Sequence, residues 1–170
     1  MRNAKLPTLI ALAALAGLAG CGKWRGDEEV GSRQHECMAR AMYFESNRSS
    51  RDGMVAVGSV VMNRVASPQF PDTICAVVGQ KGQFAPGIMS TPMTEPASLA
   101  RVADAAASVL DGERHPHVGN ARFFHALHYN ANYNNMHYTT SAGGNAFYEK
   151  RDPNRVTQPD PLPNTEGGTG

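Results

Sequence analysis

Residues 34–65 carry their apolar side chains at three- and four-residue steps in two blocks, parted by the turn-forming stretch 47–50. Met38, Ala41 and Met42 give the first block one apolar face, because residues so spaced share a side at 3.6 residues per turn. A helix is therefore expected over 34–46. Val57, Val60, Val61 and Val65 make the same argument for a second helix over 51–65, with Ser49 or Ser50 as its N-cap. Its valine content also leaves a strand open.

The pattern continues in shorter pieces. Pro71-Asp72-Thr73 opens a third helix carrying Ile74, Val77 and Val78, with Asp72 as the expected cap. A fourth spans 97–110 and stops at Asp111-Gly112. Beyond Gly119 the period changes. Residues 121–128 are rich in aromatics, and 145–148 is a short apolar run behind Gly143-Gly144, so both read as strands. The expected fold class is α+β, a mainly helical domain with a small antiparallel β element.

The two ends do not belong to that domain. Arg2 and Lys5 precede a Leu-, Ala- and Gly-rich stretch over 6–19, closed by Leu18-Ala19-Gly20-Cys21. A charged start, a short apolar run and small residues before a cut site describe a secretory signal over 1–20. A membrane-spanning helix is the alternative, but it needs about 20 apolar residues and this run is shorter and broken by Gly and Pro7. Leu-Ala-Gly-Cys resembles a bacterial lipobox, which makes Cys21 a lipidated N-terminus. Acyl chains contribute ~0.8 kcal/mol per buried CH₂, enough in combination to hold a protein on a membrane without a span. Gly22, rather than Asp, follows the cysteine and fits sorting to the periplasmic face of an outer membrane. Residues 21–34 are polar and read as a tether, 35–150 as the domain, and the proline-rich 151–170 as a disordered tail.

Without Arg2 and Lys5, 14 basic residues stand against 15 acidic ones. No basic stripe is visible, which argues against nucleic acid as a partner. Cys37 and Cys75 then remain as an even pair in an exported chain. A disulfide between them is the favoured reading, and two buried apolar thiols are the alternative.

Glu45 is the residue that breaks the pattern. It extends the apolar face of the first helix, where a hydrophobe is expected, whereas Glu36 lies nine residues earlier on the opposite side. A carboxyl on such a face loses hydration of its charged form, which raises its pKa and suits it to act as a general acid. A frayed helix end that delivers Glu45 to water is the plain alternative.

The segment Cys37-Met38-Ala39-Arg40-Ala41-Met42-Tyr43-Phe44-Glu45-Ser46 and the later Met62-Asn63-Arg64-Val65 resemble the SleB-type cell wall hydrolase family, whose members include spore cortex-lytic enzymes. So do Phe70-Pro71-Asp72-Thr73-Ile74-Cys75, Gln83-Phe84, Phe123-Phe124-His125 and the closing Gly143-Gly144-Asn145-Ala146-Phe147-Tyr148. The resemblance runs from Cys37 to Tyr148. It implies a lysozyme-like domain that cuts peptidoglycan glycan strands between N-acetylmuramic acid and N-acetylglucosamine, with Glu45 as the catalytic acid. It implies no cofactor and no metal, and a monomer working in the cell envelope is expected. Spore cortex itself is not implied as the substrate.

The chemistry that the family suggests is lytic transglycosylation. Retaining and inverting glycosidases use two carboxyls roughly 5 to 9.5 Å apart. No second acid has a convincing place here: Asp52 and Asp72 stand at helix starts, Asp104 mid-helix, and Asp111 and Glu113 beside a turn. A transglycosylase manages with one, since the sugar's own C6 hydroxyl is the nucleophile. A hydrolase of the muramidase type is the alternative. Gln83, Phe84, His125, Tyr129, Tyr133 and Tyr148 are the expected substrate contacts, although His125 fits a structural histidine equally well. Tyr129, Tyr133 and Tyr138 stand among Asn130, Asn132, Asn134 and Asn135, which suits either a sugar groove or a polar surface loop. The family pattern has His where this chain has Asn145, and its Pro-x-Trp is missing around 131–133.

Two other classes compete. His115-Pro-His117 and His125-Ala-Leu-His128 invite a zinc amidase, but neither has a carboxylate at ligand spacing. A lipoprotein that only binds glycan has no use for a desolvated Glu45.

Overall fold

The computed structural model describes residues 21–46 and 50–169, with side chains from Glu28 onward. The signal read over 1–20 lies outside the described residues. Among them the elements are α1 (Cys21–Glu45), α2 (Arg51–Val65), α3 (Ile74–Val78), α4 (Pro96–Leu110), β1 (Phe123–Ala126), β2 (Met136–Ala142), β3 (Asn145–Lys150), a 3₁₀ turn (Pro153–Arg155) and β4 (Asn164–Thr165). The α+β expectation holds: helices and a small sheet share one domain.

The helical half packs as its spacing dictates. Met38, Ala41 and Met42 of α1 are fully buried against Val57, Val60 and Val61 of α2 and Val102, Ala105 and Val109 of α4. Ser50 caps α2, its hydroxyl accepting from the Gly53 N–H at 3.2 Å. The α3 cap is Thr73 rather than Asp72, because the threonine hydroxyl reaches the free Ala76 N–H. Cys37 and Cys75 form a disulfide with Cα atoms 5.2 Å apart, joining α1 to α3.

The sheet has the order β1-β3-β2-β4, antiparallel for the first three strands and parallel between β2 and β4. Alternation along β1 and β3 divides it into two faces. Phe124 and Phe147 turn into the core, while Phe123, His125 and Tyr148 form the other face. The tight β2–β3 turn places Gly143 against α2. A Cβ built on Gly53 would lie 2.6 Å from the Gly143 Cα, so both positions exclude a side chain and the helix sits directly on the hairpin.

Two expectations need correction. Residues 21–34 are not an irregular tether but the first turns of α1. Extending an existing helix costs little once it is nucleated, and Glu29 and Arg33 pair across one turn at 3.5 Å. The tail is not disordered through 151–169 either. The Tyr138 N–H donates to Gln158 O at 3.0 Å, β4 pairs with β2 at Ser141 and Ala142, and Thr165 Oγ1 donates to Ser141 O. Low apolar content misleads here because hydrogen bonds to a sheet edge order the segment, not a core of its own.

The tail ends on a buried acid. Gly168 N–H and Thr169 N–H each donate to the Asp52 carboxylate at 2.7 Å, and the Thr169 hydroxyl adds a third bond. Burial alone would raise the Asp52 pKa, but the hydrogen bonds from Thr169 and Gly168 outweigh it and hold the carboxyl below its ordinary 3.8. A pKa depressed on folding adds stability that is present above that ordinary value and lost as the pH falls through the folded one. The melting temperature of the wild type should therefore drop more steeply than that of Asp52→Asn as buffers go from pH 5 to strongly acid. Parallel curves would show that the clasp contributes nothing.

Candidate active site

Glu45 is the last residue of α1, half-buried where that helix meets the sheet and the loop after α3. Its backbone carbonyl, one of the acceptors that a helix end leaves without an internal partner, receives Asn145 Nδ2 from the first residue of β3 at 2.5 Å. Ser46 closes the last turn by donating to Met42 O at 2.6 Å. The side chain is held separately: Oε1 accepts the Ala85 N–H at 2.7 Å. Backbone and carboxyl of Glu45 are thus each fixed by a different element.

Burial pushes the Glu45 pKa up, opposed by the Ala85 N–H and by the charge of Arg64, and the balance stays above the ordinary 4.5. A carboxyl whose folded pKa is raised costs stability once it must ionise. The cost is absent at low pH and grows as pH rises from 4.5 through the folded value. Glu45→Gln, which never ionises, should accordingly melt above the wild type at pH 7, with the gap closing below pH 4. Calorimetry at both pH values checks this, and a gap independent of pH would remove the desolvation argument.

Arg64 is the residue that the sequence reading missed. It is 3% exposed, and its guanidinium lies 5.2 Å from the Phe70 ring centroid, 5.1 Å from Phe84 and 5.9 Å from Phe123. Its Nε donates to Arg122 O at 2.8 Å, while Nη1 is buried with no hydrogen-bond partner among the described residues. Burial lowers its pKa to about 10, and the Tyr148 and Glu45 charges oppose that fall. The signal was available. Arg64 sits four residues after Val60 and three after Val61, on the apolar stripe of α2, just as Glu45 sits on that of α1.

Several of the other acids are committed elsewhere. Glu36 points outward beside Arg40, Glu113 and Asp104 pair with Arg51, Glu149 pairs with Arg151, and Asp52 holds the tail. Among the described residues, the charge acting on Glu45 is that of Arg64.

The expected substrate contacts separate into groups. Tyr129 and Tyr133 are exposed, at 56% and 69%. Tyr148 is partly buried and stacks on Phe123 at 5.6 Å. Gln83 is exposed in the turn before Phe84, which itself belongs to the core and supports the site from beneath. His125 spends both nitrogens internally, on Ala126 O at 2.9 Å and the Tyr138 hydroxyl at 2.7 Å. Because a carbonyl only accepts, Nδ1 is the donor to Ala126 O. What His125 has left to offer is its ring, 5.6 Å from Tyr129 and 5.8 Å from Tyr148.

Two hollows adjoin these residues. One of about 500 Å³ is lined by Val78, Gln80, Phe84, Ala85, Ile88 and Met89. The other, about 400 Å³, is lined by Tyr133, Asn135, Met136, Tyr148 and Lys150. Ala85 links the first to Glu45 by its hydrogen bond, and Tyr148 links the second to Arg64. No three His, Cys, Asp or Glu side chains gather at metal-binding distance among the described residues.

Comparison with known proteins decides the family. Residues 48–148 match the model described as Cell Wall Hydrolase. The chain belongs to the cell wall hydrolase family. A spore cortex-lytic enzyme of Oceanobacillus iheyensis is 35% identical over 68 residues, which cover 40% of this chain and 25% of that protein. This cell wall hydrolase thus aligns with only a quarter of that relative's length. The catalytic domain of the germination-specific lytic transglycosylase SleB from Bacillus anthracis superposes with a TM-score of 0.55 at 28% identity, over 68% of this chain and 93% of that domain. The Bacillus cereus SleB catalytic domain shares the fold at 24% identity and a TM-score of 0.54, over 69% of this chain and 91% of that domain.

Proposed function

We propose that the protein is a peptidoglycan lytic transglycosylase that cuts between N-acetylmuramic acid and N-acetylglucosamine, with Glu45 as its single acid and base. The observation that carries this reading is a half-buried carboxyl with raised proton affinity, fixed by the Ala85 N–H, with Arg64 the charge acting on it among the described residues. Membership of the cell wall hydrolase family and the likeness to a SleB catalytic domain support it.

The protonated Glu45 gives its proton to the glycosidic oxygen as the C1–O bond breaks. The resulting carboxylate takes the proton of the C6 hydroxyl on the same sugar while that oxygen bonds to C1. A 1,6-anhydro end forms, no water is consumed, and Glu45 returns to its protonated state. The half-buried position suits both steps, because the carboxyl gives one proton to the leaving oxygen and regains another from the C6 hydroxyl. Exposed Tyr129 and Tyr133, with Tyr148, give sugar rings aromatic faces, and exposed Gln83 adds an amide beside Phe84.

Processing after Gly20 would leave Cys21 as a lipidated N-terminus and hold α1 at the membrane surface, facing the cell wall polymer. No helix among the described residues is long and apolar enough to cross a membrane. Labelling with palmitate that disappears in Cys21→Ala tests the anchor.

The reaction is tested by mass spectrometry of cell-wall sacculi digested with the purified protein. Anhydro-ended muropeptides are the expected product. Reducing ends would make the protein a hydrolase, and unchanged sacculi would leave a glycan-binding lipoprotein.

A further inference from the structure

Among the described residues Arg64 is a buried cation without an ion pair of hydrogen-bonding quality, an expensive arrangement that folding alone does not call for. Its surroundings are specific. The guanidinium plane is wedged among Phe70, Phe84 and Phe123, and Nε is fixed on Arg122 O next to β1. Phe84 is the residue immediately before Ala85, whose N–H holds the Glu45 carboxyl. Arg64 therefore ties the loop that carries the Ala85 donor to the sheet that carries Tyr148.

We propose that Arg64 is the positioning residue of the reaction: it clamps the Phe84–Ala85 amide on Glu45 and keeps an unspent charge for the carboxylate that proton transfer creates. This rests on Glu45 being the acid. A lone carboxyl serving as acid and then base must survive as a carboxylate in a partly desolvated place between the two transfers. A fixed neighbouring cation favours that ionised form. The buried Nη1, uncommitted in the resting site, is the donor that this moment leaves room for. Guanidinium suits the task better than an ammonium, since it stays charged when buried and stacks on rings.

The groups that face Glu45 are few. Arg64 comes from α2, the Ala85 N–H from the loop after α3, and Asn145 from β3 on the helix-end carbonyl. Tyr148, also on β3, interacts with Arg64, and burial raises its pKa.

The test is the pH dependence of kcat/KM on sacculi for the wild type, Arg64→Gln, Arg64→Lys and Phe84→Leu. The alkaline limb reports loss of the Glu45 proton. Arg64→Gln removes the charge that lowers the Glu45 pKa, so the limb should move to higher pH while the maximal rate falls roughly 100-fold. Arg64→Lys restores the charge without the stacking, so its limb should return toward the wild-type position at a reduced rate. Phe84→Leu loosens the clamp and should also raise the limb, because the Ala85 hydrogen bond that lowers the pKa weakens. It decides the matter if Arg64→Gln does not fold. A merely structural arginine would lower the rate equally at all pH values, and an unmoved limb in Arg64→Gln, or in Phe84→Leu standing in for it, overturns the proposal. An active Glu45→Gln would instead overturn the reading of Glu45 itself.

Discussion

Glu45→Gln should lose activity on sacculi by roughly 10³- to 10⁴-fold, the scale of a general acid–base contribution. A 10³-fold loss corresponds to about 4 kcal/mol of transition-state stabilisation. The substitution is selective. The glutamine Oε1 can keep the Ala85 hydrogen bond, and the helix-end carbonyl keeps Asn145. The amide offers no proton to the glycosidic oxygen and cannot take one from C6. Binding should change little, so the loss should lie in kcat and leave KM nearly constant. Residual activity within tenfold of the wild type would mean that another group supplies the proton.

The second large effect is on stability. Reducing the Cys37–Cys75 bond, or replacing both residues with Ser, should destabilise the domain by about 4 kcal/mol on the chain-entropy model for a closed loop of this length. The bond ties α3, five residues long, to the middle of α1. Ile74, Val77 and Val78 also pack that helix into the core, and the Cys75 N–H donates to Gln34 Oε1 at 3.2 Å. Denaturant unfolding with and without reductant measures the difference, and a change under 1 kcal/mol would show that the unfolded chain is not restrained by this link. Because α3 leads into the loop bearing Ala85, activity of the reduced protein should also fall at temperatures where the oxidised one is unaffected.

What the sequence made legible followed from periodicity. α2 appears over 51–65 and α4 within one residue of 97–110, because each buries one continuous apolar stripe. Glu45 stood out as a charge on such a stripe. Arg64 carried the same signal on the next helix and was passed over inside the Asn-Arg-Val motif, since a basic residue near a helix end has an ordinary explanation. Phe84, expected to touch substrate, lies largely buried under the Arg64 guanidinium and also lines the first hollow. Chain order does not tell which side of an aromatic ring faces water. The ordered tail and the early start of α1 were illegible for another reason. The tail depends on partners far away in sequence, about which composition is silent, while the early turns of α1 only extend a helix already nucleated. Asn145, noted as a departure from the family pattern, gives its side chain to the carbonyl of Glu45 exactly one hundred positions before it.

The clasp on Asp52 has a consequence for the order in which the molecule is completed. Its two backbone donors come 116 and 117 positions after the acid they hold. Closing so long a loop is entropically slow compared with pairing neighbouring helices. The helices, the disulfide and the β2–β3 hairpin can all be in place before Gly168 and Thr169 arrive. Docking of the tail is then a late annealing step on a nearly finished domain, and the β2 edge would remain open until Asn164 and Thr165 pair with it.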